Sequence, residues 1–107
     1  MGTGMATGGP VSRGLGEEGG PSFHKKVMPL YPGFARRLHR EGFVLLQVLI
    51  DRKGKAVKID IFEKAGYGFD EAAKEAILES TFYPAVENGI PVRCLVKIPV
   101  RFVLTGS

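Results

Sequence analysis

Few side chains in this sequence are of the types that carry out catalysis or bind metals. The chain has one cysteine, Cys94, and two histidines, His24 and His39. None of them has a nucleophile, a base or further metal ligands at a recognisable spacing, and a single cysteine excludes an internal disulfide or a multi-cysteine zinc site. Gly66-x-Gly68 lacks the third glycine of a dinucleotide-binding loop and predicts a turn. The residues therefore argue against an enzyme and predict no cofactor.

The backbone of the last apolar run, residues 91–104, offers a different chemistry. Apolar residues occupy its even positions, which predicts a strand with one face on the core. The run contains Pro99, and proline is tolerated in a strand mainly at a sheet edge because it cannot donate a hydrogen bond to a neighbour. An edge strand has unpaired N–H and C=O groups with which an extended peptide can pair.

Backbone geometry predicts which residues face that edge. Since the N–H and C=O of one residue point to the same side of a strand, turning Pro99 to the edge also turns Arg93, Leu95, Lys97 and Arg101 there. A visiting strand would pair with Arg93, Leu95 and Lys97 and lose one bond at Pro99. The cationic side chains have a second interpretation, as a solvated edge that resists aggregation.

The elements that position this strand can be placed from hydrophobic periodicity and turn signals. The first helix and the first strand are predicted at 32–40 and 43–51, and a Gly54 hairpin loop leads to a strand ending near residue 63. A helix at 71–80 with Asp70 as its cap follows, and then a turn at 87–89.

This order predicts an α+β fold of two layers. Two helices pack on one face of a three-stranded antiparallel/mixed sheet, with the element order α-β-β-α-β. The strand at 43–51 is apolar on both faces, which favours the central position and the strand order 2-1-3. Pro99 then lies in an edge strand.

The chain divides by composition near residue 22. The first 22 residues hold eight of the fifteen glycines and a charge of −1, so residues 1–22 are predicted to be a flexible leader and 23–107 the folded domain. The domain therefore carries a charge of +5, and the −1 of the leader brings the whole chain to +4. The chain contains no run of 18 apolar residues.

The sheet face opposite the helices is expected to be unusually apolar. It includes Phe43, Leu45, Leu49, Phe62, Leu95 and Val103. An apolar surface of this size is expected to be buried by another segment of protein. Either the segment 23–28 folds under the sheet or another chain does, and strand exchange into a homodimer is one form of the second alternative.

A series of short motifs, in order, resembles one family. They are Pro29-x-Tyr31-Pro32-x-x-Ala35, Glu41-Gly42-x-Val44, Ile50-Asp51-x-x-Gly54, Val57-x-x-x-Ile61, Phe69-Asp70-x-Ala72-Ala73, Phe82-x-Pro84-Ala85, Gly89-x-Pro91-Val92 and Ile98-Pro99-Val100-x-Phe102. Together they resemble the C-terminal domain of TonB-family energy transducers over about three quarters of the chain.

The resemblance implies a periplasmic domain of a protein anchored in the inner membrane by an N-terminal helix. It implies strand addition of the N-terminal box peptide of outer-membrane TonB-dependent transporters, and work supplied by an ExbB/ExbD-like motor that uses the proton gradient. The cargo implied is an iron chelate or cobalamin. The anchor helix is not found in this sequence, so we expect the chain to bind a partner without transducing energy alone.

Met28 marks a departure from the family, whose better-studied members often have glutamine at this position near the box peptide. Two other functions stay open. A TonB-like envelope protein can serve a partner that is not a transporter. A small basic nucleic-acid-binding module fits the pI of about 9.4, but the charge is dispersed and the aromatic pairs of an RNA-binding sheet are missing, so no nucleic-acid partner is predicted.

Overall fold

The computed structural model describes residues 9–105 and contains two helices and eight strands within that range. The strands are β1 (Val11–Ser12), β2 (Ser22–Lys25), β3 (Gly42–Ile50), β4 (Ala56–Glu63), β5 (Thr81–Tyr83), β6 (Ala85–Glu87), β7 (Ile90–Val92) and β8 (Cys94–Phe102). The helices are α1 (Gly33–Arg37) and α2 (Phe69–Glu79). The mixed α+β class with two helices is confirmed.

Four strands form the main sheet, in the order β1-β8-β3-β4. The prediction of a three-stranded sheet was therefore wrong in strand number, and β1 is the addition. The strand β3 lies between β4 and β8 and is antiparallel to both. Two further sheets of two strands each, β2-β5 and β6-β7, lie outside the main sheet, so the predicted element order was too simple.

Alternation along β3 and β8 creates the core. Their even-numbered residues from Val44 to Ile50 and at Cys94, Val96, Ile98 and Phe102 are buried. Helix α2 packs on this face through Phe69, Ala73 and Ile77, and Ala35 of α1 belongs to the same cluster. Both helices thus cover one face of the sheet, because an apolar stripe on each can be buried only there.

Helix α1 is shorter than predicted and ends at Arg37 instead of residue 40. His39 has a φ of 56°, a left-handed conformation that stops a helix. The chain then turns so that the hydroxyl of Tyr31 donates a hydrogen bond to the carbonyl of Arg40. The Tyr31 ring packs edge-on against Phe69 at 5.6 Å between ring centroids. The proline-flanked tyrosine thereby fixes the entry to α1.

Asp70 lies inside α2 and does not cap it, so that prediction was wrong. The residue before the helix is Gly68, which has no side chain that could cap the helix. The Asp70 carboxylate instead accepts hydrogen bonds from the backbone amides of Ala65 at 2.8 Å and Gly66 at 3.1 Å. It therefore stabilises the loop that leads into α2.

The predicted last strand is interrupted at Arg93. Residues Ile90–Val92 turn back on Ala85–Glu87 as a hairpin, and β8 starts afresh at Cys94. Asn88 and Gly89 at the tip have φ of 53° and 78°, which confirms the predicted turn. Composition alone did not show the break, because the alternation of apolar residues continues through it.

Strand β5 lies between the helix predicted at 71–80 and the turn predicted at 87–89, where no element was predicted from the sequence. It pairs antiparallel with β2, and Phe23 of β2 stacks on Phe82 of β5 at 4.7 Å between ring centroids. Phe82 belongs to the core under the helices. The segment 23–28 therefore lies on the helix side and does not cover the opposite sheet face, which rules out the first of the two covers proposed.

Candidate functional site

The edge of β8 is the candidate site, and hydrogen bonds show which residues turn toward it. The carbonyl of Arg93 accepts from the Val11 amide at 3.1 Å, and the carbonyl of Leu95 accepts from the Arg13 amide at 3.3 Å. Since alternate residues of a strand point the same way, the backbones of Lys97, Pro99 and Arg101 also face this edge. Pro99 is exposed, and its missing N–H leaves no donor unpaired.

A segment of this same chain occupies the first part of the edge. Strand β1 pairs parallel with β8, with Val11 opposite Cys94 and Ser12 opposite Leu95. Within residues 9–105 no strand pairs with the edge from residue 97 to 101. The edge therefore has a covered half around Leu95 and an open half that contains Pro99.

Residues 10–20, which include β1 and which we call the N-terminal strap, are held on the domain by contacts on both sides of Leu15. The Arg13 guanidinium lies 3.2 Å from the Glu87 carboxylate of β6. Further along, the Val86 amide donates to the Gly19 carbonyl at 3.0 Å. Leu15, between these contacts, packs against the core cluster. Residues 9–22, which belong to the predicted leader, therefore contact the domain. Residues 1–8 lie outside the described range. The division of the chain at residue 22 stays a prediction.

A groove of about 310 Å³ runs beside the open half of the edge. One wall is the β8 stretch 98–101, and the other is the segment 26–29 with the last turns of α2. Leu15 of the strap and Phe23 of β2 also line the groove. An extended peptide on this edge would have an apolar trough on one side and open backbone groups on the other.

Hydrogen bonds to the end of α2 fix the wall formed by segment 26–29. The buried hydroxyl of Ser80 accepts from the Val27 amide at 2.9 Å and donates to the Ala76 carbonyl at 2.7 Å. Met28, the next residue, projects into solvent with 70 % of its surface exposed. A flexible thioether on a fixed backbone suits contact with varied partners.

The predicted site residues fall into three groups. Met28, Pro99 and Arg101 line the groove together. Arg93 and Leu95 lie at the half of the edge covered by the strap. Lys97 borders a separate depression of about 530 Å³ with Arg13 and Glu17. Sequence reasoning missed Leu15, Phe23 and Lys26, and the one available signal was that Leu15 is a large apolar residue within a glycine-rich stretch.

The cations of β8 contact aromatic rings on the sheet face away from the helices. The Lys97 ammonium lies 4.2 Å from the centre of the Phe62 ring, and the Arg101 guanidinium lies 5.0 Å from that of Phe43. Such contacts stabilise by about 0.5–1 kcal/mol at exposed sites. These charged groups therefore cover part of the apolar face. At the edge itself, the groups available to a partner are mainly those of the backbone.

That sheet face, which we call the outer face, stays partly open among the described residues. Phe62 and Val103 are about half exposed, and Phe43, Leu45, Leu49 and Leu95 are half-buried. Neither of the two described helices lies on it, because both belong to the other layer.

Titratable side chains give no sign of a reactive centre in the part of the chain described. Burial raises the pKa of the Cys94 thiol, so it stays protonated and poorly nucleophilic. Loss of hydration, and secondarily the Glu41 charge, raise the pKa of the Tyr31 hydroxyl. Between residues 9 and 105 no three His, Cys, Asp or Glu side chains group as metal ligands would.

Comparison with known families identifies the domain. Residues 27–104 match the model of the Gram-negative bacterial TonB protein C-terminal family. The chain belongs to this TonB C-terminal family. It is 35 % identical over 82 residues to Protein TonB of Vibrio cholerae serotype O1. That match covers 76 % of the chain but only 34 % of the relative, so the chain spans about a third of that protein.

The fold agrees with a solved TonB domain. The solution NMR structure of the Pseudomonas aeruginosa TonB C-terminal domain superposes with a TM-score of 0.71 at 21 % identity. The superposition covers 87 % of this chain and 95 % of that one. Neither of the two helices described here has the length and apolar character that crossing a bilayer requires. Family membership confirms the resemblance read from the motifs.

Proposed function

We propose that this chain is the partner-binding domain of a TonB-like energy transducer, which takes up an extended peptide as an added strand along β8. One observation carries the proposal. The β8 edge from residue 97 to 101 has no paired strand among the described residues and lies beside the groove lined by Met28, Pro99 and Arg101. Backbone groups of an added strand would pair there, and its alternate side chains would enter the groove.

The pairing of β1 supports the proposal because it is an example of strand addition at the same edge. Two residues suffice to form the ladder, with hydrogen bonds to Arg93 and Leu95. The peptide would continue toward Lys97 and Arg101 and would lack one hydrogen bond at Pro99, which limits the registers that it can adopt.

The partner we propose is the N-terminal box peptide of an outer-membrane TonB-dependent transporter, bound in the periplasm. An inner-membrane anchor and an ExbB/ExbD-like motor would complete the transducer, and the work would drive uptake of iron chelates or cobalamin. Main-chain pairing suits this role, since it supplies affinity with little demand on the peptide sequence. The function is binding and transmission of force, without catalysis or a cofactor.

Because main-chain pairing makes little demand on the peptide sequence, it also supports one alternative function, a TonB-like envelope protein whose partner is not a transporter.

Other partners would use different surfaces. A homodimer through the outer face would bury Phe62 and Val103, which are 55 % and 50 % exposed. Nucleic acid is a weaker candidate, because the Lys97 and Arg101 cations already lie over aromatic rings.

A titration of amide NMR shifts tests the proposal. The ligand is a synthetic peptide that carries the N-terminal box of a transporter from the same organism, and a scrambled peptide is the control. We expect shifts to cluster from Arg93 to Arg101 and at Met28. Shifts confined to the outer face, or none at millimolar peptide, would contradict strand addition at β8.

A further inference from the structure

The strap and the proposed partner need the same backbone groups. Val11 and Arg13 donate to the carbonyls of Arg93 and Leu95, which are the groups that a visiting strand would use at the start of β8. A strand edge offers each carbonyl to one added strand at a time. Residues 10–13 and a peptide that spans the whole edge therefore exclude each other.

The strap also reaches the groove. Leu15 lines it together with Met28 and Pro99, and it packs on the core from the strap side. Release of β1 would both uncover Arg93 and Leu95 and free the trough where Leu15 sits. One movement of the chain thus changes the two surfaces on which an added peptide would rest.

The contacts that hold the strap are few and mostly at the surface. They include the hydrogen bonds from Val11 and Arg13 to β8, the ion pair between Arg13 and Glu87, the bond from Val86 to Gly19, and the packing of Leu15 on the core. A main-chain hydrogen bond stabilises by about 1 kcal/mol and an exposed ion pair by less. Because ordering the segment offsets part of this, a closed strap is favoured only modestly and a ligand can displace it.

We propose that the N-terminal strap is an intramolecular competitor that closes the β8 edge until a partner strand displaces it. This inference rests on the proposed function, because it assigns regulation to the same edge. A closed strap lowers the apparent affinity by the fraction of molecules that are open. It also shields a sheet edge that would otherwise pair with other chains.

Backbone parity supplies a matched set of variants. Val11→Pro combined with Arg13→Pro removes both N–H groups that bond to β8. Ser12→Pro is the control, because the Ser12 amide points away from β8 and proline there leaves both bonds intact. All three proteins, the 107-residue chain and the two variants, keep every residue of β8 and of the groove.

Two measurements are made on these proteins. Amide shifts of Arg93 and Leu95 without peptide report whether the strap lies on the edge, and calorimetric titration with the synthetic box peptide reports affinity. We expect the double variant to change both shifts and to bind on the order of tenfold more tightly, while Ser12→Pro matches the parent chain.

The results that would contradict the strap's position, the competition and the proposed function differ from one another. Unchanged shifts at Arg93 and Leu95 in the double variant would show that the strap does not occupy the edge, and would overturn the inference. Changed shifts with equal affinities, or equal tightening by Ser12→Pro, would overturn the competition and leave strand addition standing. Absence of binding to all three proteins would overturn the proposed function and the competitor together.

Discussion

Gly54 lies where the β3–β4 hairpin touches β5, and its replacement tests this contact. Its φ is +86°, and a Cβ placed on it would lie 1.9 Å from the Phe82 carbonyl oxygen. The Gly54 carbonyl also accepts a hydrogen bond from the Phe82 amide at 2.8 Å. Since β5 pairs with β2, which leads into the groove wall, this contact helps to position the site.

Gly54→Ala costs free energy in two ways. A left-handed backbone costs a non-glycine residue about 1–2 kcal/mol. Moving Phe82 away from the new methyl costs about 1–3 kcal/mol more, including its hydrogen bond to Gly54. We expect a loss of about 3 kcal/mol in the free energy of unfolding, a large share of the stability of a small domain.

Gly66→Ala is the matched control. Gly66 has a φ of +76°, but a Cβ there would meet nothing within 4 Å. It should therefore lose only about 1–2 kcal/mol. Urea unfolding followed by circular dichroism measures both, and Gly54→Ala should shift the midpoint lower by about 1 M more than Gly66→Ala. Equal midpoints for the two variants would refute the close approach of Gly54 to Phe82.

Two further predictions concern buried polar groups. Asp70→Ala should destabilise the chain by about 2–3 kcal/mol in urea, because the amides of Ala65 and Gly66 lose a charged acceptor, and Glu71→Ala, an exposed neighbour, should change it by less than about 0.5 kcal/mol. Similar effects of the two would be contrary to the loop contact. Cys94 should react slowly with iodoacetamide at neutral pH and rapidly in urea, since the thiol is buried in the folded chain and burial raises its pKa. By linkage, the contribution of this thiol to stability is present below the pKa of the unfolded thiol and is lost as the pH rises through the higher folded pKa. Equal alkylation rates in the folded and the urea-unfolded chain would contradict this burial.

Local patterns predicted the elements whose residues alternate or repeat with a clear period. Strands β3 and β8 were found because every second residue is buried against the helices, and the turn at Asn88 and Gly89 because both residues favour positive φ. The apolar stripe of α2 predicted this helix, although the predicted start at residue 71 lies two residues after the observed start at Phe69.

The remaining features depend on partners distant in sequence. Strand β1 has two residues in a glycine-rich stretch and exists only through its pairing with Cys94 and Leu95. Asp70 has the sequence signature of a cap, but the loop amides of Ala65 and Gly66 are its partners. At the site, sequence predicted the direction of the β8 backbone but not the groove, because its wall at Met28 is held by Ser80.

Proline at Lys97 is the most direct test of strand addition at β8. Lys97→Pro removes one N–H from the open half of the edge, while Lys97→Ala keeps it and removes the contact with Phe62. Box-peptide affinity is measured by calorimetry for both variants, with amide spectra to confirm that the sheet is intact. If the peptide adds as a strand, Lys97→Pro should weaken binding about tenfold or more and Lys97→Ala should change it less than about threefold. Equal affinities for the two variants would contradict main-chain pairing as the basis of binding.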